Sequence, residues 1–183
     1  DFAGDVQDFC SSSTFSDVKI NVDKKTIPAH KIVLAAHSSV LMKMLTTDFK
    51  ESTTNCIDVG DVSFGIFEHF LKYLYSGKIG EQSDVGFTEI KELYLLAHLY
   101  DVSALKQECV LKISQLLTLD NVCDALRIAY KYDDDNFKQI AKNFAAGHME
   151  DLIASEIWKQ LVKDFPEAGY EVMLNFFPQK QKG

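Results

Sequence analysis

Basic residues are in short supply. Nineteen Lys and Arg stand against 27 Asp and Glu, for a formal charge of −8. With no basic surplus to neutralise phosphates, neither nucleic acid nor a phosphate-rich surface is an expected partner. Proline (3) and glycine (9) are few among 183 residues, which points to long regular elements and few open loops. No apolar run approaches the ~20 residues that span a bilayer, and no signal peptide is read at the start of the chain. Membrane attachment is therefore not expected. The four cysteines, Cys10, Cys56, Cys109 and Cys123, form no Cys-x-x-Cys pair and sit at no zinc-like step from a histidine. They read as small buried or half-buried thiols of a reducing compartment, not as disulfides or metal ligands.

Catalytic signatures are missing too. There is no glycine-rich phosphate loop, no Gly-x-Ser-x-Gly elbow and no His-Glu-x-x-His. His98 with Asp101 could serve as a base and its orienter, and Cys109 as a nucleophile. All three fall in helical segments whose apolar periodicity already explains them. Asp133-Asp134-Asp135 lacks the spaced glycine and distal glutamate of a calcium loop and reads as a helix start. No cofactor is expected.

What is present is a globular composition, 46% hydrophobic and 25% charged, which excludes a disordered tail, a collagen-like rod and a coiled coil. Asp17 to Asp23 alternates apolar and polar residues as a half-buried strand does, and Thr26 to Ala29 reads as its hairpin return. Lys31 to Ser38 is a short, mostly apolar helix, and Ser39 is placed to cap the next, which carries Leu41, Met42, Met44 and Leu45. Thr47 to Asn55 has no clear period and reads as a loop containing one aromatic, Phe49. Cys56 to Val59 is a short strand. Ser63 opens a helix carrying Ile66, Phe67, Phe70, Leu71 and Leu74, and Gly77 closes it.

Beyond this point every segment reads as helix. Glu89–Tyr100 and Ser103–Leu117 come first, the latter with Leu105, Cys109, Leu111 and Ile113 facing inward. After a break at Thr118–Asn121 come Val122–Tyr132 and a helix ending at Ala146, with Gly147 as its stop. Shorter helices follow at Met149–Ala154, Glu156–Lys163 and Ala168–Phe176. No repeat of fixed period appears.

Two details suggest a binding surface. Phe2, Val6 and Phe9 fall at i, i+4 and i+7, one stripe of a helix too short to stand alone, which must dock on its own domain or on a partner. Phe49 is either tucked inward or offered to a partner, and periodicity alone does not choose.

Phe15-Ser16-Asp17-Val18, then Ile27-Pro28-Ala29-His30-Lys31-Ile32-Val33-Leu34-Ala35-Ala36-His37-Ser38, resembles the BTB/POZ domain. So do Phe49-Lys50-Glu51-Ser52 and Phe67-Glu68-His69-Phe70-Leu71-Lys72-Tyr73-Leu74-Tyr75-Ser76-Gly77. The resemblance implies an α+β BTB/POZ fold over residues 15–117, a small three-stranded sheet flanked by helices. Residues 1–14 would be an N-terminal dimerisation helix and linker. Residues 118–183 would be the all-helical 3-box and partial BACK extension, similar to the speckle-type, MATH–BTB group of the family.

In function the resemblance implies a non-catalytic adaptor that pairs as a twofold homodimer. It would hold the N-terminal domain of cullin-3 and present a substrate protein, bound by a domain outside this chain, to a ubiquitin ligase. The compartment would be the nucleus, the cytoplasm or both. The family's hydrophobic-x-Glu cullin contact corresponds to Phe49, Lys50 and Glu51. Tyr75, Tyr100 and the 3-box residues Asn121 and Tyr132 would surround it. Phe2, Val6, Phe9 and Val33 would form the dimer stripe. Asp17 and Lys31 match a charged pair near the dimer interface of BTB transcription factors, with Lys where those repressors carry Arg. The alternative function is accordingly a transcriptional regulator whose dimer recruits a corepressor.

Overall fold

In the computed structural model, which describes residues 14–47, 49–79 and 85–177, the alternation after Asp17 becomes strand β1, Val18–Val22. Val18, Ile20 and Val22 are buried, while Lys19 and Asn21 point the other way. Asp23 and Lys24 turn the chain at φ 45° and 62°, the left-handed pair that a two-residue hairpin of right-handed twist requires. β2, Lys25–Ala29, returns antiparallel to β1. β3, Cys56–Val59, lies parallel on the other side of β1, giving the order β2-β1-β3.

A parallel pair needs a crossover. It is supplied by helices α1, Lys31–His37, α2, Ser39–Thr46, and α3, Lys50–Thr54. α4, Phe64–Ser76, follows the sheet, opened by Ser63 accepting from the Ile66 N–H and closed by Gly77 at φ 69°. That positive φ is why glycine stands there. α5, Phe87–Leu99, and α6, Ser103–Leu116, come next. The core of this part includes Ile20, Leu34, Ile57, Phe67, Phe70, Leu74, Ile90 and Tyr94.

The chain divides into two compact units, 1–111 and 112–183. The second holds α7, Val122–Lys131, α8, Asp135–Gly147, α9, Met149–Leu152, α10, Glu156–Asp164, and α11, Pro166–Phe176. α7 packs on α8, α8 on α11, and α11 on α10. Phe137, Ala141 and Ala145 bury the i, i+4, i+8 stripe of α8. The expected α+β architecture, a three-stranded sheet with helices followed by a helical region, is the one observed.

Four local expectations are corrected. The cap of α2 is Ser38, whose Oγ accepts the Leu41 N–H at 3.0 Å; Ser39 is the first helical residue, its hydroxyl donating to Asp101. The segment after Thr47 contains α3, a helix of polar residues that no apolar period announces. Leu111 is 58% exposed, because the buried face of α6 is set by Leu105, Cys109, Val110 and Ile113. Gly147 is the last residue of α8, and the cap is His148, whose backbone N–H turns back to the Ala145 carbonyl.

Candidate partner-binding site

Phe49 immediately precedes α3 in extended backbone, φ −83° and ψ 159°. Its carbonyl accepts both the Ser52 N–H at 3.2 Å and the Ser52 Oγ–H at 2.8 Å. The main chain is thereby committed to starting a helix while the ring is left outside, 54% exposed. The inward reading of this aromatic does not hold. Glu51 follows in the first turn of α3, where a carboxylate is favoured by the free N–H groups. The segment thus places an exposed apolar ring two residues before a half-buried acid.

A polar row on the open face of the sheet reaches this segment. Thr26, Asn21 and Asp58 are in register across β2, β1 and β3. The Thr26 hydroxyl donates to Asn21 Oδ1 at 2.8 Å, and Asn21 Nδ2 donates to Asp58 Oδ1 at 2.8 Å. Lys50 Nζ meets Asp58 Oδ2 at 3.4 Å. The Asn21 amide, and after it Lys50, holds the Asp58 carboxyl below the usual carboxylate range.

Tyr75 and Tyr100, expected to surround the motif, are buried and offer little surface of their own. The Tyr75 hydroxyl is bound by the His30 backbone N–H at 3.1 Å and lies 2.7 Å from His30 Nδ1. His30 Nε2 reaches the Thr14 carbonyl at 2.9 Å. Nε2 must donate to that carbonyl, so in the neutral ring Nδ1 accepts from Tyr75. Tyr100 packs on Phe70 at 5.3 Å between ring centroids, and burial pushes its hydroxyl pKa up. Asn121 and Tyr132 are half-buried in the second unit. The Asn121 side chain spans the break after α6, accepting the Thr118 N–H and donating to the Leu116 carbonyl. Lys131 lies over the Tyr132 ring.

Of the expected dimer stripe, Phe2, Val6 and Phe9 lie outside the described residues. Val33 is half-buried. Its neighbour Ile32 is 78% exposed, and Phe15 is 84% exposed with φ 60°. Sequence reasoning passed over both. The signal for Ile32 was its place beside Leu34, the residue that alone defines the buried side of so short a helix. The Asp17–Lys31 charged pair is corrected. Asp17 Oδ1 accepts the Lys31 backbone N–H at 2.8 Å, and the Lys31 ammonium goes instead to Asn55 Oδ1.

The Asp101 carboxylate accepts from Ser39 Oγ at 2.6 Å, and Cys109 is fully buried. Among the described residues no helix is long and apolar enough to cross a membrane, and no His, Cys, Asp or Glu cluster could hold a metal. What the surface offers is an aromatic ring, flanking charge and further exposed apolar side chains, the chemistry of protein contact.

Comparison with known proteins agrees. The BTB/POZ domain profile matches residues 6–117. A BTB/POZ domain-containing protein of Arabidopsis thaliana is 32% identical over 156 residues, 85% of this chain and 73% of that protein. Kelch repeat and BTB domain-containing protein 4 of Mus musculus is 28% identical over 142 residues, 78% of this chain. The chain spans 26% of that longer relative. The BTB (Tramtrack and Bric a brac) domain of human Gigaxonin is similar at 26% identity and a TM-score of 0.47, covering 58% of this chain and 86% of that one. With the profile spanning more than half of its length, the chain belongs to the BTB/POZ family of protein-interaction domains.

Proposed function

We propose that this chain is a non-catalytic adaptor module. It pairs with a second copy and holds the N-terminal domain of cullin-3 through Phe49 and Glu51. A substrate bound by a domain outside these residues is thereby positioned for ubiquitination by a cullin-RING ligase, in the nucleus or cytoplasm. The observation that carries this reading is the exposed Phe49 ring at the start of α3, with Glu51 one step into the helix. An aromatic that enters a partner pocket is the usual centre of an interface, and a neighbouring acid adds orientation more than affinity. The name of the mouse relative, joining Kelch repeats to a BTB domain, supports an adaptor over a corepressor-recruiting regulator. Exposed Ile32 and Phe15, with the Phe2, Val6 and Phe9 stripe, supply apolar surface for pairing.

Titration of the native chain with the cullin-3 N-terminal domain, followed by light scattering, tests this. A saturable complex with one cullin domain per chain, on a paired core, is expected. A chain that stays monomeric, or that gives no heat and no mass increase at tens of micromolar, contradicts the reading.

A further inference from the structure

We propose that Lys31 is a positioning residue for the Phe49–Glu51 segment, acting through Asn55. The role given to that segment rests on the function proposed above; the tether itself does not. α3 has five residues and buries none of them. A helix of that length does not hold itself together, because nucleation is unfavourable and too few bonds follow to offset it. At the N-terminal end Phe49 offers no side-chain cap, and the bonds made there, Ser52 to the Phe49 carbonyl and the Phe49 N–H to Thr47, are local ones. The direction of the segment must be set by what grips it from outside.

α2 and β3 pack against α3, and the side-chain grip is at its C-terminal end. Asn55 closes α3 in the left-handed region, φ 53° and ψ 37°. Its carbonyl accepts the Lys19 N–H at 2.9 Å, which joins it to the sheet. Its side-chain Oδ1 accepts from Lys31 Nζ at 2.5 Å, which joins it to α1. Lys31 is itself anchored, since its backbone N–H donates to Asp17 Oδ1 at 2.8 Å. Asparagine suits both tasks, because it tolerates the left-handed backbone and supplies an acceptor that glycine would lack. The contact at the other end of α3, Lys50 with Asp58, is also exposed and is longer, at 3.4 Å against 2.5 Å.

α1 thus carries both the exposed Ile32 and the lysine that fixes the end of α3. Without the tether α3 frays, Phe49 samples more orientations, and a partner must pay the ordering cost on binding.

The test uses Lys31→Met, which removes the donor, and Asn55→Gly, which keeps the left-handed backbone but removes the acceptor. Lys31→Arg and Asn55→Asp retain the bond. Hydrogen exchange over residues 49–55 and calorimetry with the cullin-3 N-terminal domain are measured in the full chain, with Phe49→Ala as control. Lys31→Met and Asn55→Gly are expected to raise exchange in α3. They should weaken binding about threefold to tenfold, what the net worth of one hydrogen bond converts to. The double variant should be no worse than either single one, and the two conservative variants should behave as native. Unchanged exchange in α3 for Lys31→Met overturns the proposal, whatever the affinities. If exchange rises and Phe49→Ala weakens binding while Lys31→Met does not, the positioning role is overturned. If Phe49→Ala binds as native, the cullin reading fails, and the exchange data still judge the tether.

Discussion

Ser38 shows how much one small side chain can decide. It is 1% exposed, and its hydroxyl is used twice. Oγ accepts the Leu41 N–H at the start of α2 and donates to the Tyr100 carbonyl at 2.5 Å, where α5 ends. Ser38→Ala removes the cap and strands a carbonyl in the interior, so a loss of about 2 kcal/mol of unfolding free energy is expected. Ser39→Ala removes only an exposed bond to Asp101 and should cost under about 0.5 kcal/mol. Denaturant melts of the two variants compare them, and equal losses would return the cap to Ser39. Sequence alone could not separate two adjacent serines, because the choice turns on which hydroxyl meets a backbone end 62 residues away. The same blindness explains the Asp17–Lys31 pair. Opposite charges suggest an ion pair, whereas the fold uses the aspartate on a backbone N–H and sends the lysine to Asn55. Ser63 and Gly77 were legible because their work is local, a hydroxyl three residues from its N–H and a positive φ only glycine takes freely.

At the scale of elements, legibility followed the apolar period. Strands β1 and β3 and helices α4, α7 and α8 have strong alternation or stripes and lie where the pattern put them. α3 has the sequence Lys-Glu-Ser-Thr-Thr and no stripe to read. It exists because Ser52 bonds back to Phe49, Thr54 back to Lys50, and Asn55 closes it. The element bearing the candidate contact is thus the one the sequence conceals. The motif singles out Phe49, but the exposure of its ring depends on α3 and cannot be read from the motif.

α10 and α11 approach closely at Gly169. A Cβ there would lie 2.7 Å from Val162 Cγ2, closer than packed carbons come. Gly169→Ala would ordinarily help a helix by up to about 1 kcal/mol. Here the exposed Val162 must first turn its methyl away, so that gain should be lost and stability should fall by up to about 1 kcal/mol. A higher melting temperature for Gly169→Ala would mean that the two helices are not packed this closely.

The clasp joining α7, α8 and α11 has a pH signature. Glu171 Oε2 accepts from Lys142 Nζ at 2.6 Å and from the Tyr130 hydroxyl at 2.7 Å. Lys142 first, then Tyr130, holds the Glu171 carboxyl below its usual range. Burial, and then the bond to Glu171, pushes the Tyr130 hydroxyl up. A carboxyl whose pKa is lower in the folded state stabilises fully above its unfolded value and loses that contribution as pH falls through the folded value. Stability should therefore decline below about pH 4.3, the free carboxyl value. In Glu171→Gln that part of the acid decline should vanish, while stability near neutrality falls. An identical acid profile for the two proteins would remove Glu171 from the clasp.

For the whole molecule, the exposed apolar residues of the first unit are the kind of surface that a protein-interaction domain offers to other proteins. The chain spans about a quarter of the length of its mouse Kelch relative. The central question is whether Phe49 serves a partner or its own fold. Calorimetric titration of Phe49→Ala with the cullin-3 N-terminal domain, beside its melting curve, decides this most directly. Truncation of a central aromatic costs ~2–4 kcal/mol of binding, so affinity should fall roughly thirtyfold to thousandfold. The melting temperature should stay within a degree or two of native, since the ring is more exposed than buried. Native affinity in a stably folded Phe49→Ala protein would contradict the account, as would a collapse in melting temperature that alone explains the lost binding.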